Sequence, residues 1–427
     1  MVQALQIPLR MRIDNAANIY PAALTKKYAS LFRMSVTLAE PVDVSLLQEA
    51  LETVSERIPT FRCRLQSGSF WWHLKRQKKA PQVRPLAPLN RPHFRDNGGF
   101  LYRVSPDGCR IVLDVFHALT DGTGAETFLL TLTGEYLRLR YGIDIVYGGK
   151  VLDPRDRPAA DELGDAFKKV FSGRRGELEK SDDAYHIKGK KLPFAGLRDC
   201  CVTVSAGQVQ RLCAMYGCTV TELVTAAMVC SLQDMHREDP DPARLSALRV
   251  SVPVNLRPFY GSRTLRNFAS YVNLGVDVKD GYLPFGELVH RIRVQKREML
   301  RRENLEPKIA ANVSLEENVA VRCIPLFIKK PVIDAVNRHH GDRYFSQTLS
   351  SLGRVELPES MRPYVVDFDF ILGRQRNNAG ATTCTSCGDR LHIHFSRSIA
   401  DDRFERGVVA LFHELGFRAE VVHGILA

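Results

Sequence analysis

The residues best suited to chemistry in this 427-residue chain sit in one short run, Ile111-Val-Leu-Asp-Val-Phe-His117-Ala-Leu-Thr-Asp121-Gly122-Thr-Gly124. Imidazole titrates near pH 6.5, so His117 can accept a proton at neutral pH. A base held beside an acceptor hydroxyl contributes about 10²–10⁴-fold in rate. Asp121, four residues on, is poorly placed to orient His117 if the intervening chain turns away. The expected role for it is an ion pair with an arginine that fixes the loop. Gly122 is expected to allow close packing or an unusual backbone angle behind the histidine.

These side chains need a strand before them and a helix after. Ile111, Leu113 and Val115 share a face with His117 by the two-residue period, so a strand over 110–116 delivers the imidazole at its end. A second strand, 100–104, joins it through the turn Pro106-Asp-Gly108. Phe128, Leu129, Leu132 and Tyr136 then predict a helix over 123–140. Upstream, a strand near 29–38 leads to a helix that Asp43 caps and Val44, Leu47, Leu51, Val54 and Ile58 line. Pro59 ends that helix and a strand follows over 61–65. Further on, helices are expected at 221–233, capped by Thr219 or Thr221, at 285–302 and at 401–416. Strands are expected at 247–253, 270–278, 365–372 and 390–396.

Length beyond the roughly 250–300 residues of one core implies two domains. The division predicted is 1–175, a polar crossover linker 176–196 with one short helix near it, and 197–427. Alternating helices and strands predict α/β (α+β) layering.

The segment around His117 resembles the His-x-x-x-Asp-Gly motif of the CoA-dependent acyltransferase superfamily, which includes chloramphenicol acetyltransferase, the BAHD enzymes and condensation domains. Phe116-His-Ala-Leu-Thr-Asp-Gly-Thr-Gly-Ala125, Val252-Pro-Val-Asn-Leu-Arg257, Thr264-Leu-Arg-Asn-Phe268 and Thr348-Leu-Ser-Ser-Leu-Gly-Arg-Val-Glu-Leu-Pro358 are similar to the alcohol acetyltransferase branch. The resemblance implies two chloramphenicol-acetyltransferase-like domains, each a mixed sheet with helices, with a channel between them. It implies an acyl group, acetyl first, passing from acyl-CoA to an alcohol, with His117 as base and no acyl-enzyme. No permanently bound cofactor is implied. Pro59-Thr-Phe-Arg-Cys-Arg-Leu65 resembles the family's early arginine motif, which makes Arg62 the expected partner of Asp121 and Arg64 the fallback. Ser350, Ser351 and Asn273 are candidates for an oxyanion donor or channel residue.

Two departures narrow this. Phe116 stands where condensation domains usually carry a second histidine, and Asp367-Phe-Asp-Phe370 has no tryptophan to complete a BAHD-type late motif. The alternatives kept open are a condensation-like enzyme using a carrier-protein thioester and an amine or hydroxyl acceptor, and a silent relative that only binds.

Other classes find less support. Hydrophobic residues at 44% and charged residues at 25% are ordinary for a globular protein. No signal peptide or membrane span is read, so a cytoplasmic protein with ten reduced cysteines is expected. The net charge of +12 could favour phosphates, but the basic residues lack interleaved aromatics, and no nucleic-acid partner is expected. The basic face of the helix at 285–302 reads as solvated, or as an aid to CoA phosphates. Cys384-Thr-Ser-Cys387 with His392 and His394 has metal-like residue types. The histidines are two apart on an expected strand and the cysteines lie in an expected loop, so no metal site is predicted there.

Overall fold

The structure, a computed structural model, describes residues 7–25, 28–90, 94–171, 182–240, 247–337 and 341–426. Its strands run β1 (Arg10–Arg12), β2 (Leu31–Leu38), β3 (Cys63–Ser67), β4 (Trp72–Arg76), β5 (Tyr102–Asp107), β6 (Arg110–Phe116), β7 (Arg198–Ser205), β8 (Ala247–Asn255), β9 (Ala269–Asp277), β10 (Gln347–Arg354), β11 (Val365–Leu372), β12 (Gly380–Cys387), β13 (Arg390–Arg397) and β14 (Glu420–Ile425). They form a three-stranded sheet β1-β4-β3, a four-stranded sheet β11-β2-β6-β5 and a seven-stranded sheet β14-β7-β13-β12-β10-β8-β9.

Local chemistry explains the elements around the four-stranded sheet. Asp43 accepts hydrogen bonds from the Ser45 and Leu46 amides and starts the helix Val44–Arg57, whose Leu47, Ala50, Leu51 and Val54 are buried. The helix Gly122–Tyr141 is capped by Asp121 and ends at Gly142, whose left-handed φ of 65° suits a residue without a Cβ. Stacked Phe61 and Phe128, 4.0 Å between centroids, lie in the same core. In the larger sheet, Thr219 and Glu222 form a reciprocal cap for the helix Val220–Glu238, which is buried along most of its length. Thr219, not Thr221, is the cap.

The two large sheets have separate cores, in the mixed α/β layering expected. One strand breaks the division by sequence. β11 belongs by position to the C-terminal unit, yet it pairs antiparallel with β2, Phe368 opposite Val36 and Phe370 opposite Met34. Phe368 and Phe370 are buried in the first core, so the gain in apolar burial lies with the N-terminal sheet. The junction placed at 175/176 lies outside the described residues.

Two further differences matter. The cysteines Cys384 and Cys387 lie on strand β12, not in a loop. Among the described residues, the polar stretch before β7 carries two short α-helices, Ala160–Leu163 and Ala166–Val170, rather than one. Among the described residues no single helix is long and apolar enough to cross a membrane.

Candidate active site

β6 ends at Phe116, and the chain then turns through His117 to Thr120 before the helix that Asp121 caps. The His117 amide donates to the Ser30 carbonyl at 2.9 Å, which fixes the turn to the residue just before β2. Tyr20 stacks on the imidazole at 4.4 Å between centroids, and Phe32 meets it edge-on at 5.2 Å. Burial holds the imidazole below its ordinary pKa, against the opposing pull of Asp121 and Asn267.

The second face of the site comes from the chain between β8 and β9. His117 Nδ1 lies 3.2 Å from Asn267 Oδ1. The Asn267 Nδ2 donates to the His117 carbonyl at 3.1 Å and to Asp14 Oδ2 at 3.3 Å. Both of those partners are acceptors, and Asp14 Oδ2 also accepts from the Asn267 backbone amide at 3.0 Å. The amide is therefore oriented with its oxygen toward the imidazole, and a flipped amide would set oxygen against oxygen twice. Asn267 Oδ1 must accept the Nδ1 proton. This tautomer leaves the lone pair on Nε2. Arg266 lies 2.8 Å from Asp14 Oδ1, so the group behind Asn267 is itself a buried ion pair.

Asp121 does pair with an arginine, but not with Arg62 or Arg64. Arg257 Nη1 reaches Asp121 Oδ2 and Nη2 reaches Oδ1, both at 2.9 Å. The remaining donors of Arg257 go to the Thr264 and Arg266 carbonyls and Asn255 Oδ1. Asp121 also accepts from the Gly124 and Phe268 amides. The guanidinium's fork is thus fully used, and the pair ties the turn after His117 to the segment that presents Asn267. Arg62 instead binds Glu56 at 2.5 Å and the Lys78 carbonyl at 3.0 Å, and Arg64 is exposed.

The glycines divide the role expected of Gly122. Gly122 lacks a positive φ, and a Cβ there would lie 3.0 Å from Leu352 Cδ2. Gly124 has the tighter approach: a Cβ would fall 2.1 Å from Thr120 Oγ1 and 2.3 Å from the Leu265 carbonyl. The contact of Leu352 brings the end of β10 beside the start of the helix. Ser350 and Ser351 precede it on that strand, and the Ser351 hydroxyl bonds to Cys384. Asn273 faces Ser251 across β8 and β9. The described contacts of His117 include none of these three.

Two residues that hold the site, Arg257 and Asn267, lie in the Asn-Leu-Arg and Leu-Arg-Asn words of the polar loop after β8, which no local pattern ties to His117. Their polar character after a strand was the available signal. The basic helix, observed as Phe285–Met299, has less free charge than its sequence suggests: Arg291 meets Asp280, Arg293 meets the Tyr216 and Gly217 carbonyls, and Lys296 meets Glu222.

No protein-family model matches the chain. An uncharacterised protein of Mycobacterium tuberculosis is 25% identical over 185 residues, 40% of this chain and 41% of that protein. The chain thus spans about two fifths of the length of the curated relatives it matches. Three solved structures are similar over nearly the whole chain. Polyketide synthase associated protein 5 from M. tuberculosis has a TM-score of 0.62 at 14% identity, covering 94% of this chain and 96% of its own. TRI3 trichothecene 15-O-acetyltransferase from Fusarium sporotrichioides has a TM-score of 0.58 at 13% identity, covering 94% of both. The starter condensation domain of rhizomide synthetase, a variant in complex with C8-CoA, has a TM-score of 0.58 at 13% identity, covering 94% and 92%. The chain shares the fold of these structures, a layered α/β architecture of the chloramphenicol-acetyltransferase-like kind.

Proposed function

We propose that this protein is an acyltransferase that moves an acyl group, acetyl first among candidates, from a CoA thioester to an alcohol, with His117 as general base. The observation that carries the reading is the Asn267 contact, which commits the proton to Nδ1 and leaves Nε2 as acceptor. The acceptor hydroxyl gives its proton to Nε2 as its oxygen attacks the thioester carbonyl. The tetrahedral oxyanion collapses, the C–S bond breaks, and the thiolate takes the proton back from the imidazolium. The products are an ester and free CoA thiol, and His117 returns to its starting state. Asn267 Oδ1 favours the imidazolium by accepting from Nδ1–H, and the Asp121–Arg257 pair holds the two turns in register. Nothing in this sequence of steps needs a cysteine nucleophile. An oxyanion donor commonly contributes about 10²–10³-fold. Of Ser350, Ser351 and Asn273, Ser350 is the donor proposed, because the Ser351 hydroxyl bonds to Cys384 and Asn273 lies opposite Ser251 in the β8–β9 pairing.

The likeness to a condensation domain supports a second reading, a thioester on a carrier protein with an amine or hydroxyl acceptor. Phe116 weighs against it. It is fully buried and packs on Phe94 at 5.2 Å, so the place before His117 is structural. A silent relative would release no thiol at all.

The test is free-thiol release from a panel of acyl-CoAs with pooled alcohols and amines, for the parent and His117→Ala, with products identified by mass spectrometry. Acceptor-dependent release that vanishes in the variant supports the reading. Release only from acyl carrier proteins replaces it with the second, and no release from either donor removes both.

A further inference from the structure

The histidines His392 and His394 do meet a cysteine, though not the pair that spacing offers. Cys384 is opposite Ile393 and Cys387 opposite Arg390 in the β12–β13 register, so the pleat sends the two thiols to opposite faces. Cys201 on β7 is opposite His394, on the face shared by His392 and His394. Its Sγ lies 3.6 Å from His394 Nε2 and 3.9 Å from His392 Nδ1. From the other side, β11 lends Asp369, whose Oδ1 lies 3.1 Å from His394 Nε2. Cys201, Asp369 and His392 each offer a ligand atom, and these lie within 4.8 Å of one another.

The separations of 3.6 and 3.1 Å at His394 Nε2 approach those around a small tetrahedral ion, and His392 Nδ1, 3.9 Å from the thiol, would draw in on binding. Zinc bonds of about 2.3 Å to sulfur and about 2.0–2.2 Å to nitrogen and oxygen put neighbouring ligand atoms about 3.4–3.6 Å apart. The outer contacts match as well. Each imidazole turns one nitrogen toward Cys201 and gives the other to a carboxylate: His392 Nε2 to Asp367 Oδ1 at 2.7 Å, and His394 Nδ1 to Asp199 Oδ2 at 2.8 Å. A carboxylate behind each ligating histidine is the usual device for fixing tautomer and ring angle at a metal. Thr203 Oγ1 shares His392 Nδ1 at 2.9 Å, and a metal would displace that contact. Asp367 also meets Arg390 at 3.0 Å, so it is Asp199 and Asp369 whose charges call for balance by protons or by one divalent ion. The ion would engage the thiol that already lies between the two rings.

We propose that Cys201, His392, His394 and Asp369 form a site for zinc or a similar divalent ion, oriented by Asp199 and Asp367. Asp369 is opposite Ser35 on β2, four residues along from the Leu31–Phe116 pair beside His117. That is roughly 13 Å along the strand. The ion is therefore structural: it fastens β11 of the N-terminal sheet to β7 and β13 of the C-terminal one.

The experiment strips the purified full chain with a chelator, dialyses it against zinc, and measures bound metal and melting temperature. One zinc per chain and a higher melting temperature are expected. Cobalt in its place should give a thiolate-to-cobalt charge-transfer band that Cys201→Ser abolishes and Cys384→Ser leaves intact. Asp199→Asn and Asp367→Asn keep the ligands and should weaken binding about 10–100-fold, which tests the site even if Cys201→Ser fails to fold. Sub-stoichiometric zinc at every excess, or a cobalt band unchanged in Cys201→Ser, overturns the proposal. The first of these with a folded protein would leave a proton-charged histidine–aspartate network instead.

Discussion

Two histidine sites in one molecule show how differently the fold can treat an imidazole. His117 is enclosed by Tyr20 and Phe32 and touches a neutral amide, and among the described residues no carboxylate is hydrogen-bonded to it. Burial wins there and keeps the ring neutral. His392 and His394 are also buried, but carboxylates from β7 and β11 reach both rings. When protons rather than a metal occupy that cluster, burial is outweighed by Asp367, Cys201 and Asp369, and His392 is pushed up to about 9. The same side chain is thus prepared as a proton acceptor in one place and as a charge anchor in the other. The difference lies in whether its second nitrogen meets an amide or an acid.

The comparison can be broken most directly at His117. His117→Ala should lower turnover by about 10²–10⁴-fold while the melting temperature stays near that of the parent, read by thiol release and thermal denaturation. Equal activity in the variant would remove the base from the mechanism. Asp121→Ala should cost stability instead, about 3–5 kcal/mol, because it leaves the buried Arg257 without its carboxylate. Arg62→Ala, by contrast, breaks a pair whose acidic partner is exposed and should shift denaturant stability by about 0–1 kcal/mol. A reversal of those two would restore the pairing first expected from sequence. Asn267→Ala sharpens the contrast between the sites at smaller scale. Of the three side-chain contacts it removes, the one to His117 Nδ1 bears on catalysis; its loss, net about 0.5–1.5 kcal/mol, should slow kcat roughly 2–10-fold with KM little changed.

What could be read in sequence was what is local. His117, Asp121 and Gly122 lie in one strand–turn–helix, and the two-residue and 3.6-residue periods around them are explicit. Asp43 and Thr219 cap their helices as side-chain chemistry demands. The arginine partner was harder, because Arg62 and Arg257 are chemically identical choices and only tertiary pairing selects the one 136 residues away from Asp121. The same limit hid Asn267. At the second cluster, spacing pointed to Cys384 and Cys387, and pleat parity defeated it, since residues three apart on a strand face opposite ways. The thiol came from β7 and the carboxylate from a strand that had changed sheets. Alternation along β11 was legible, but no local signal says which sheet an edge strand will join.

The subtlest prediction concerns pH. Burial lowers the His117 pKa below 6.5, so the folded protein keeps Nε2 unprotonated to lower pH than a free imidazole does. The acid limb of kcat/KM should therefore have its midpoint below 6.5. The sign carries over to folding. The unfolded chain binds the proton more readily than the folded one, so His117 lowers stability as pH falls through 6.5, and His117→Ala should flatten that part of the stability curve. A midpoint at or above 7 would mean that a carboxylate governs this imidazole as well. The two sites would then differ in position and not in kind, and the assignment of Asn267 as the group that sets the tautomer would fall with it.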